Sequence, residues 1–172
     1  SQDSFGNLEA SPPVTVDGVY YPFGRIYWGR MSNNWGLTEN LEEMLNAQTV
    51  QAPFQVDISW LCVGHVDEFT SFVPDASSEK GFRFLIADTA MGYEFLEGLD
   101  SETYLTRYAQ DHGYDTVGDI LADRALRSLN EELQADYIDP NLEIFIEKLG
   151  LEESDIIRIP SVFEEYPMCG QA

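Results

Sequence analysis

Three titratable side chains lie together in an otherwise apolar stretch at residues 60–73: His65, Asp67 and Glu68. An unpaired charge is costly to bury, so such side chains are either hydrogen-bonded or chemically active. A histidine can move a proton near neutral pH, and a carboxylate can grip a cation. Gly64, directly before the histidine, lets the backbone turn or approach a ligand closely.

The two-residue spacing of His65 and Asp67 allows two geometries. On an extended strand both side chains point to the same face and converge on one ligand. On a helical turn they diverge by about 200°. A core histidine tied to a nearby acid would have the same spacing, so the spacing alone does not choose among these interpretations.

The elements around this stretch alternate between strands and helices. Asp17-Gly18 between β-forming residues predicts a hairpin, and Thr38 can cap a helix that ends near residue 47. Residues 1–13 are turn-rich, which predicts an ordered loop. Further strands are predicted at 25–28, 54–58, 69–73 and 82–87, and a helix at 90–96. This alternation indicates an α/β or α+β fold.

From residue 102 onward the periodicity becomes helical. Asp123 can cap a long helix through Tyr137, and Pro140 opens another helix that Gly150 stops. No stretch has the composition of a clear linker, so we expect a single partial domain over 1–172. Its parts are α/β units in 1–98, a helical region in 99–150, and a strand with a C-terminal tail in 151–172.

Composition narrows the classes of partner and compartment. The 172 residues include 31 acidic and 9 basic side chains, a net charge of −22. This charge argues against nucleic acid or an anionic membrane as partner and favours calcium or an arginine-bearing polypeptide, although solubility also accounts for it. No apolar run approaches the roughly 18 residues of a membrane span, and no signal peptide is visible. Two cysteines make no disulfide framework, so a reducing, cytoplasmic setting is expected.

Six blocks of the sequence resemble one known family. The segment 63–74, which holds His65, is similar to the histidine-containing active-site segment of the protein-arginine deiminases. Five further blocks resemble the same family in the same order: 4–14, 21–26, 47–53, 80–83 and 149–157. Ordered blocks are far more specific than one short motif. The similarity weakens between about 99 and 139.

The resemblance implies a pentein-type α/β propeller, a fan of strand-strand-helix-strand units around a central channel. Residues 14–97 are compatible with one or two such units. We therefore expect a partial, unclosed fan with a helix-rich second half. Strand edges exposed where neighbouring units are missing would favour self-association, for example as a homodimer.

The resemblance also implies hydrolysis of the guanidinium of peptidyl arginine to citrulline and ammonia. In the family a cysteine thiolate attacks the guanidinium carbon, a histidine acts as general acid and base, and two aspartates hold the guanidinium nitrogens. Carried onto this sequence, His65 is the acid and base and Asp67 is one clamping aspartate. The nucleophilic cysteine would lie beyond Ala172 and the other aspartate before Ser1, so the isolated chain is expected to be inactive.

Calcium-dependent members of the family have a metal site near the start of this region. There Phe5 and Leu8 correspond to backbone-carbonyl ligands and Glu9 to a carboxylate ligand. Oxygen ligands suit a hard cation, although a turn with an exposed acid would have the same sequence. The other ligands would lie upstream, so calcium would be held only weakly by this chain alone.

Cys62 is three residues from His65, and a cysteine–histidine pair is a recognised nucleophile and base. Its neighbours are apolar, however, and free cysteine is among the most buried residue types. We therefore expect Cys62 to be buried and structural. Cys169, in the tail, does not match the family's catalytic cysteine, and His112 before a glycine is typical of a helix end.

Two alternatives remain open. One is a deiminase or amidinotransferase of the same superfamily that acts on a small guanidine, such as free arginine or agmatine. The other is a non-catalytic acidic module that binds calcium or protein. The block matches favour the protein-modifying enzyme.

Overall fold

The computed structural model describes residues 3–33 and 35–165. The strands in this part of the chain are β1 (Leu8–Ala10), β2 (Val14–Val16), β3 (Val19–Tyr21), β4 (Ile26–Arg30), β5 (Phe54–Asp57), β6 (Thr70–Pro74), β7 (Phe82–Asp88) and β8 (Ile156–Pro160). The α-helices are α1 (Glu39–Ala47), α2 (Thr89–Glu97), α3 (Arg107–Asp111), α4 (Val117–Ala122), α5 (Arg124–Leu133) and α6 (Asp139–Leu149). Short 3₁₀ turns occur at Phe5–Asn7, Val66–Glu68 and Glu153–Asp155, and a π-helical turn at Gln134–Ile138. The predicted mixed α+β class is confirmed.

Most predicted elements form close to their expected bounds. β2 and β3 pair as an antiparallel hairpin through Asp17 and Gly18, which both have positive φ. The expectation of a loop over residues 1–13 is wrong at Leu8–Ala10, which form β1 by pairing antiparallel with β4. These three residues have little β-propensity of their own, so the neighbouring strand determines their conformation.

The chain divides into two compact units. The first comprises residues up to 86 together with 139–157, and the second comprises 87–138 together with residues from 158. This packing boundary falls near the end of β7, whereas the division expected from composition falls at 98 and 150. Within the described residues, every helix is too short or too polar to cross a bilayer.

The sheet that carries the N-terminal residues has the order β1-β4-β5. β4 pairs antiparallel with β1 and parallel with β5. A parallel pair needs a crossover connection, and α1 supplies it. Tyr27 of β4 is buried in an aromatic core, with ring centroids 5.6 Å from Phe54 of β5 and 5.1 Å from Phe145 of α6. This aromatic packing fixes β4, the strand with which β1 pairs.

Three buried asparagines each bind both backbone groups of a residue distant in sequence. Each side-chain amide donates to the carbonyl and accepts from the N–H of a single residue: Asn7 at Gly29, Asn141 at Asp57 and Asn130 at Phe163. An amide offers a donor and an acceptor side by side, so it satisfies both backbone groups at once. Leaving those groups buried and unpaired would be costly.

The second unit is built around three helices. α2, α4 and α5 pack on a core of five buried side chains: Tyr93, Leu96, Val117, Ile120 and Leu126. Asp123 caps α5 as predicted, because its Oδ1 accepts from the N–H groups of Ala125 and Leu126. α5 ends at Leu133, where a π-helical turn follows, rather than at the predicted residue 137. His112 follows the last residue of α3, as predicted.

Asp75 closes the turn between β6 and β7, which pair antiparallel within a sheet of order β6-β7-β8. Its Oδ1 accepts from the N–H and hydroxyl of Ser77 at 2.8 and 2.6 Å. Its Oδ2 accepts from Arg83 Nε at 2.6 Å. The carboxylate therefore ties both ends of the turn together only while it is ionised.

We expect Asp75→Asn to remove a pH-dependent part of the stability. The hydrogen bonds from Ser77 and Arg83 lower the pKa of Asp75 to about 2. A carboxyl with a depressed pKa stabilises the fold above its unfolded pKa of about 4, and this contribution is lost as the pH falls toward 2. Urea midpoints should differ between wild type and Asp75→Asn above pH 4 and converge at pH 2. Glu43→Gln, which removes a charge from an exposed position of α1, serves as control. The same pH dependence in all three proteins would contradict this expectation.

Candidate active site

His65 and Asp67 lie in two different backbone conformations. His65 is extended, with φ −116° and ψ 139°, and the 3₁₀ turn Val66–Glu68 begins directly after it. Glu68 closes this turn, because its Oε1 accepts from the His65 N–H at 2.7 Å and its N–H donates to the His65 carbonyl at 3.2 Å. The segment is therefore neither fully extended nor fully helical, because the extended backbone ends between the two candidate residues.

The imidazole of His65 and the carboxylate of Asp67 nevertheless converge on one point beside Gly6. A Cβ atom added at Gly6 would lie 2.5 Å from His65 Nδ1 and 2.9 Å from Asp67 Oδ2. Gly6 belongs to the 3₁₀ turn Phe5–Asn7, which packs against the turn Val66–Glu68. The missing side chain of Gly6 thus leaves the space in which the two functional groups meet.

Ser4 contacts the same imidazole through its other nitrogen. The Ser4 hydroxyl oxygen lies 2.6 Å from His65 Nε2, although the two residues are 61 positions apart. The Ser4 carbonyl accepts from the Asn7 N–H at 3.0 Å, and Asn7 is fully buried against β4. No periodicity or spacing rule reaches across 61 residues, so sequence reasoning assigned no role of their own to Ser4 and Gly6.

Buried, uncharged residues lie next to His65 and Asp67. Val66 and Thr70 are buried, and the Thr70 hydroxyl donates to the Val66 carbonyl at 2.8 Å. Burial raises the pKa of the Tyr27 hydroxyl, the hydrogen bond with Thr70 opposes that rise, and the negative charges of Glu9 and Asp67 add to it. Tyr27 therefore stays neutral at physiological pH.

Glu9, in β1, is half-buried and lies near Asp67. Burial raises the pKa of the Glu9 carboxyl, and repulsion from Asp67 raises it further, while a hydrogen bond from the Ala10 backbone opposes the rise. Two carboxylates that repel each other in a partly desolvated place are stabilised when a cation binds between or beside them. The charge pattern around Glu9 and Asp67 thus favours positively charged ligands.

The three residues compared with calcium ligands lie within one short segment. Phe5 is in the 3₁₀ turn, and Leu8 and Glu9 follow it in β1. The Phe5 carbonyl accepts from the Leu8 N–H, which leaves a second lone pair available. Carbonyl and carboxylate oxygens fit a hard cation such as Ca²⁺. Residues 3–33 and 35–165 hold no cluster of three or more His, Cys, Asp or Glu side chains suited to a metal.

Comparison with known proteins identifies the family. Residues 1–171 match the sequence profile of the family described as "Protein-arginine deiminase (PAD)". The chain belongs to this family. It is 42% identical to human protein-arginine deiminase type-4 over 170 residues. This alignment covers 94% of the chain and 25% of that relative. It is 42% identical over 171 residues to human type-1, with 95% of the chain and 25% of the relative covered. It is 39% identical over 172 residues to human type-3, with 94% and 26% covered.

The chain thus spans about a quarter of the length of these deiminase relatives. Membership confirms the family resemblance inferred from the six sequence blocks. It also connects the His65 and Asp67 pair to a family whose named members act on arginine in proteins. The individual roles of these two residues remain predictions.

The exposure and the bonding of Cys62 differ from what the sequence predicts. It is exposed rather than buried, and it is disulfide-bonded in this structure. A disulfide sulfur is not a thiolate, and only the thiolate is a competent nucleophile. Cys62 is therefore not poised as the nucleophilic partner of His65 in this structure. The expectations of a buried Cys62 and of a chain without a disulfide are both wrong here. Cys169 lies outside the described residues.

Proposed function

We propose that the protein containing this chain hydrolyses peptidyl arginine to peptidyl citrulline and ammonia. The observation that carries the proposal is the convergence of the His65 imidazole and the Asp67 carboxylate beside Gly6, in a chain of the deiminase family. A planar guanidinium suits the paired oxygens of a carboxylate. An imidazole held next to that carboxylate is within reach of the guanidinium's leaving nitrogen.

The proposed reaction uses groups from this chain and a cysteine from outside it. A cysteine thiolate from beyond this chain attacks the guanidinium carbon that Asp67 helps to hold. His65, as imidazolium, gives its proton to the leaving nitrogen, and ammonia departs. Water then attacks the thiouronium carbon and gives one proton to His65. The thiolate leaves, and the remaining hydroxyl proton passes to solvent as the citrulline carbonyl forms. A positioned acid and base of this kind contributes about 10²–10⁴-fold in rate.

The proposal includes calcium and a pentein-type fold. Phe5 and Leu8 would supply carbonyl ligands and Glu9 a carboxylate, together with ligands from outside this chain. A bound Ca²⁺ would supply positive charge that offsets the repulsion between Glu9 and Asp67. The strand and helix units would form part of a larger fan completed by the rest of the protein. A cytoplasmic setting and a homodimer remain predictions.

The test is citrulline formation by the protein that contains this chain, assayed with and without calcium. Substrates are an arginine-containing peptide, free arginine and agmatine. We expect product from the peptide, dependence on calcium, and loss of product in His65→Ala, with Ser128→Ala as an exposed surface control. Preference for a small guanidine would favour the small-guanidine enzyme. No product from any substrate in a folded protein with calcium would favour the non-catalytic module.

The 172-residue chain assayed alone should form no citrulline, because it lacks the proposed thiolate. Its folding would be checked by circular dichroism. Hydrolysis by the isolated chain that Cys62→Ala abolishes would contradict this part of the proposal.

A further inference from the structure

We propose that Ser4 is a positioning residue that holds His65 by accepting a hydrogen bond from the imidazole Nε2–H. The inference rests on the proposed function, because it assigns the roles of the two ring nitrogens during proton transfer. The observation behind it is the 2.6 Å separation of Ser4 Oγ and His65 Nε2. This is a short hydrogen bond.

The contact with Ser4 helps to fix the orientation of the ring, because His65 is only half-buried. The turn after it holds its backbone, since the His65 N–H donates to Glu68 Oε1 at 2.7 Å and the Glu68 N–H donates to the His65 carbonyl at 3.2 Å. Ser4, in contrast, is anchored through the turn Phe5–Asn7. Its carbonyl accepts from Asn7, whose buried amide makes two 2.9 Å hydrogen bonds to Gly29. The hydroxyl is therefore presented from a fixed piece of backbone.

The positions of the two nitrogens assign them different tasks. Nδ1 faces the Gly6 side, where the Asp67 carboxylate also lies, and Nε2 faces Ser4. A guanidinium held by Asp67 would come next to Nδ1. If the Nε2–H group stays hydrogen-bonded to Ser4, Nδ1 is the nitrogen that gives a proton to the leaving nitrogen and later takes one from water.

A hydroxyl suits this task better than a carboxylate would. Its oxygen accepts from Nε2–H in both the neutral and the protonated ring, so the ring keeps its orientation through the cycle. A carboxylate would bind the imidazolium much more strongly than the neutral ring and would oppose its deprotonation. Serine therefore orients His65 without favouring one charge state strongly.

The first test is nitrogen-15 NMR of the histidine rings in the 172-residue chain. We expect His65 to show a proton on Nε2 that is protected from solvent exchange, and Ser4→Ala to lose this signal. Ser4→Thr, which keeps the hydroxyl, should restore it. His112 is an internal control. It belongs to the second compact unit, where its Nδ1 lies 2.6 Å from Glu164, so its signals should not change in Ser4→Ala. A neutral His65 ring with its proton on Nδ1, or an unchanged signal in Ser4→Ala, would overturn the proposal.

The second test uses the longer protein and its deiminase activity. We expect Ser4→Ala to lower kcat on the order of tenfold with KM nearly unchanged, the cost of one positioning hydrogen bond. Ser4→Thr should recover most of the rate, and Ser128→Ala should match wild type. A Ser4→Ala enzyme with wild-type kcat would overturn the positioning role.

The two tests separate two kinds of failure. The NMR readout needs no substrate, so a protected Nε2 proton in an inactive protein would leave the Ser4 contact standing and remove the deiminase proposal. An active enzyme that lacks the protected proton would leave the deiminase proposal standing and remove the Ser4 contact.

Discussion

Gly6→Ala is expected to lower kcat/KM on peptidyl arginine by about 100-fold in the protein that contains this chain, while the fold stays intact. The new Cβ would lie 2.5 Å from His65 Nδ1 and 2.9 Å from Asp67 Oδ2, too close for either atom to remain in place. Both atoms belong to side chains that can rotate away. The strain is therefore relieved by moving the reacting groups, and a misplacement of about 1 Å can cost on the order of 10²-fold in rate.

Two measurements separate this effect from general damage. Urea unfolding should show a midpoint close to wild type, because Gly6 has no positive φ that would penalise alanine. Gly98→Ala is a matched control, since its Cβ would come no closer than 3.4 Å to Phe95 O, an ordinary contact. Wild-type activity in Gly6→Ala would show that His65 and Asp67 do not meet beside Gly6 in the working enzyme. An unfolded Gly6→Ala protein would show that the two side chains cannot yield.

Asn7→Ala is expected to destabilise the chain by about 3 kcal/mol. Asn7 is 0% exposed, and its amide makes hydrogen bonds of 2.9 Å with both the N–H and the carbonyl of Gly29. Alanine would leave these two backbone groups unpaired at a buried place, at about 1–3 kcal/mol for each group. A water could reach them only if the turn Phe5–Asn7 opened. That opening would also move Ser4 and Gly6 away from His65.

Urea unfolding followed by tryptophan fluorescence would measure this loss, since buried Trp28 adjoins Gly29. With a typical slope of about 1–3 kcal/mol per molar urea, the midpoint should fall by roughly 1–3 M. Asn40→Ala, at an exposed position of α1, should shift the midpoint only slightly. Equal shifts for the two variants would mean that the Gly29 backbone groups find other partners.

Local sequence rules were sufficient for the elements whose signals lie within a few residues. Asp17-Gly18 predicted the hairpin because residues at positive φ close such turns. Asp123 predicted the start of α5 because a carboxylate can bind the free N–H groups of a first helical turn. The same is true of His65 and Asp67 as candidates, because their types and their apolar frame are visible in one short stretch.

The family, too, could be inferred from the sequence, since six ordered blocks resemble the deiminases and the match over residues 1–171 confirms it. The exposure of Cys62 and its disulfide bond could not be inferred from the sequence. Apolar neighbours in sequence say little about burial when the chain turns sharply, as it does before His65.

Only the tertiary structure showed how the site is held together. β1 is a strand because β4 lies beside it, and Asn7 is buried because it pairs with Gly29. Ser4 and Gly6 reach His65 across about sixty residues. The physical reason is one of range: propensities, caps and turns act over a few residues, whereas contacts between distant segments depend on the packing of the whole unit. The sequence alone thus determined which groups could do the chemistry, and the tertiary structure decided which backbone brings them together.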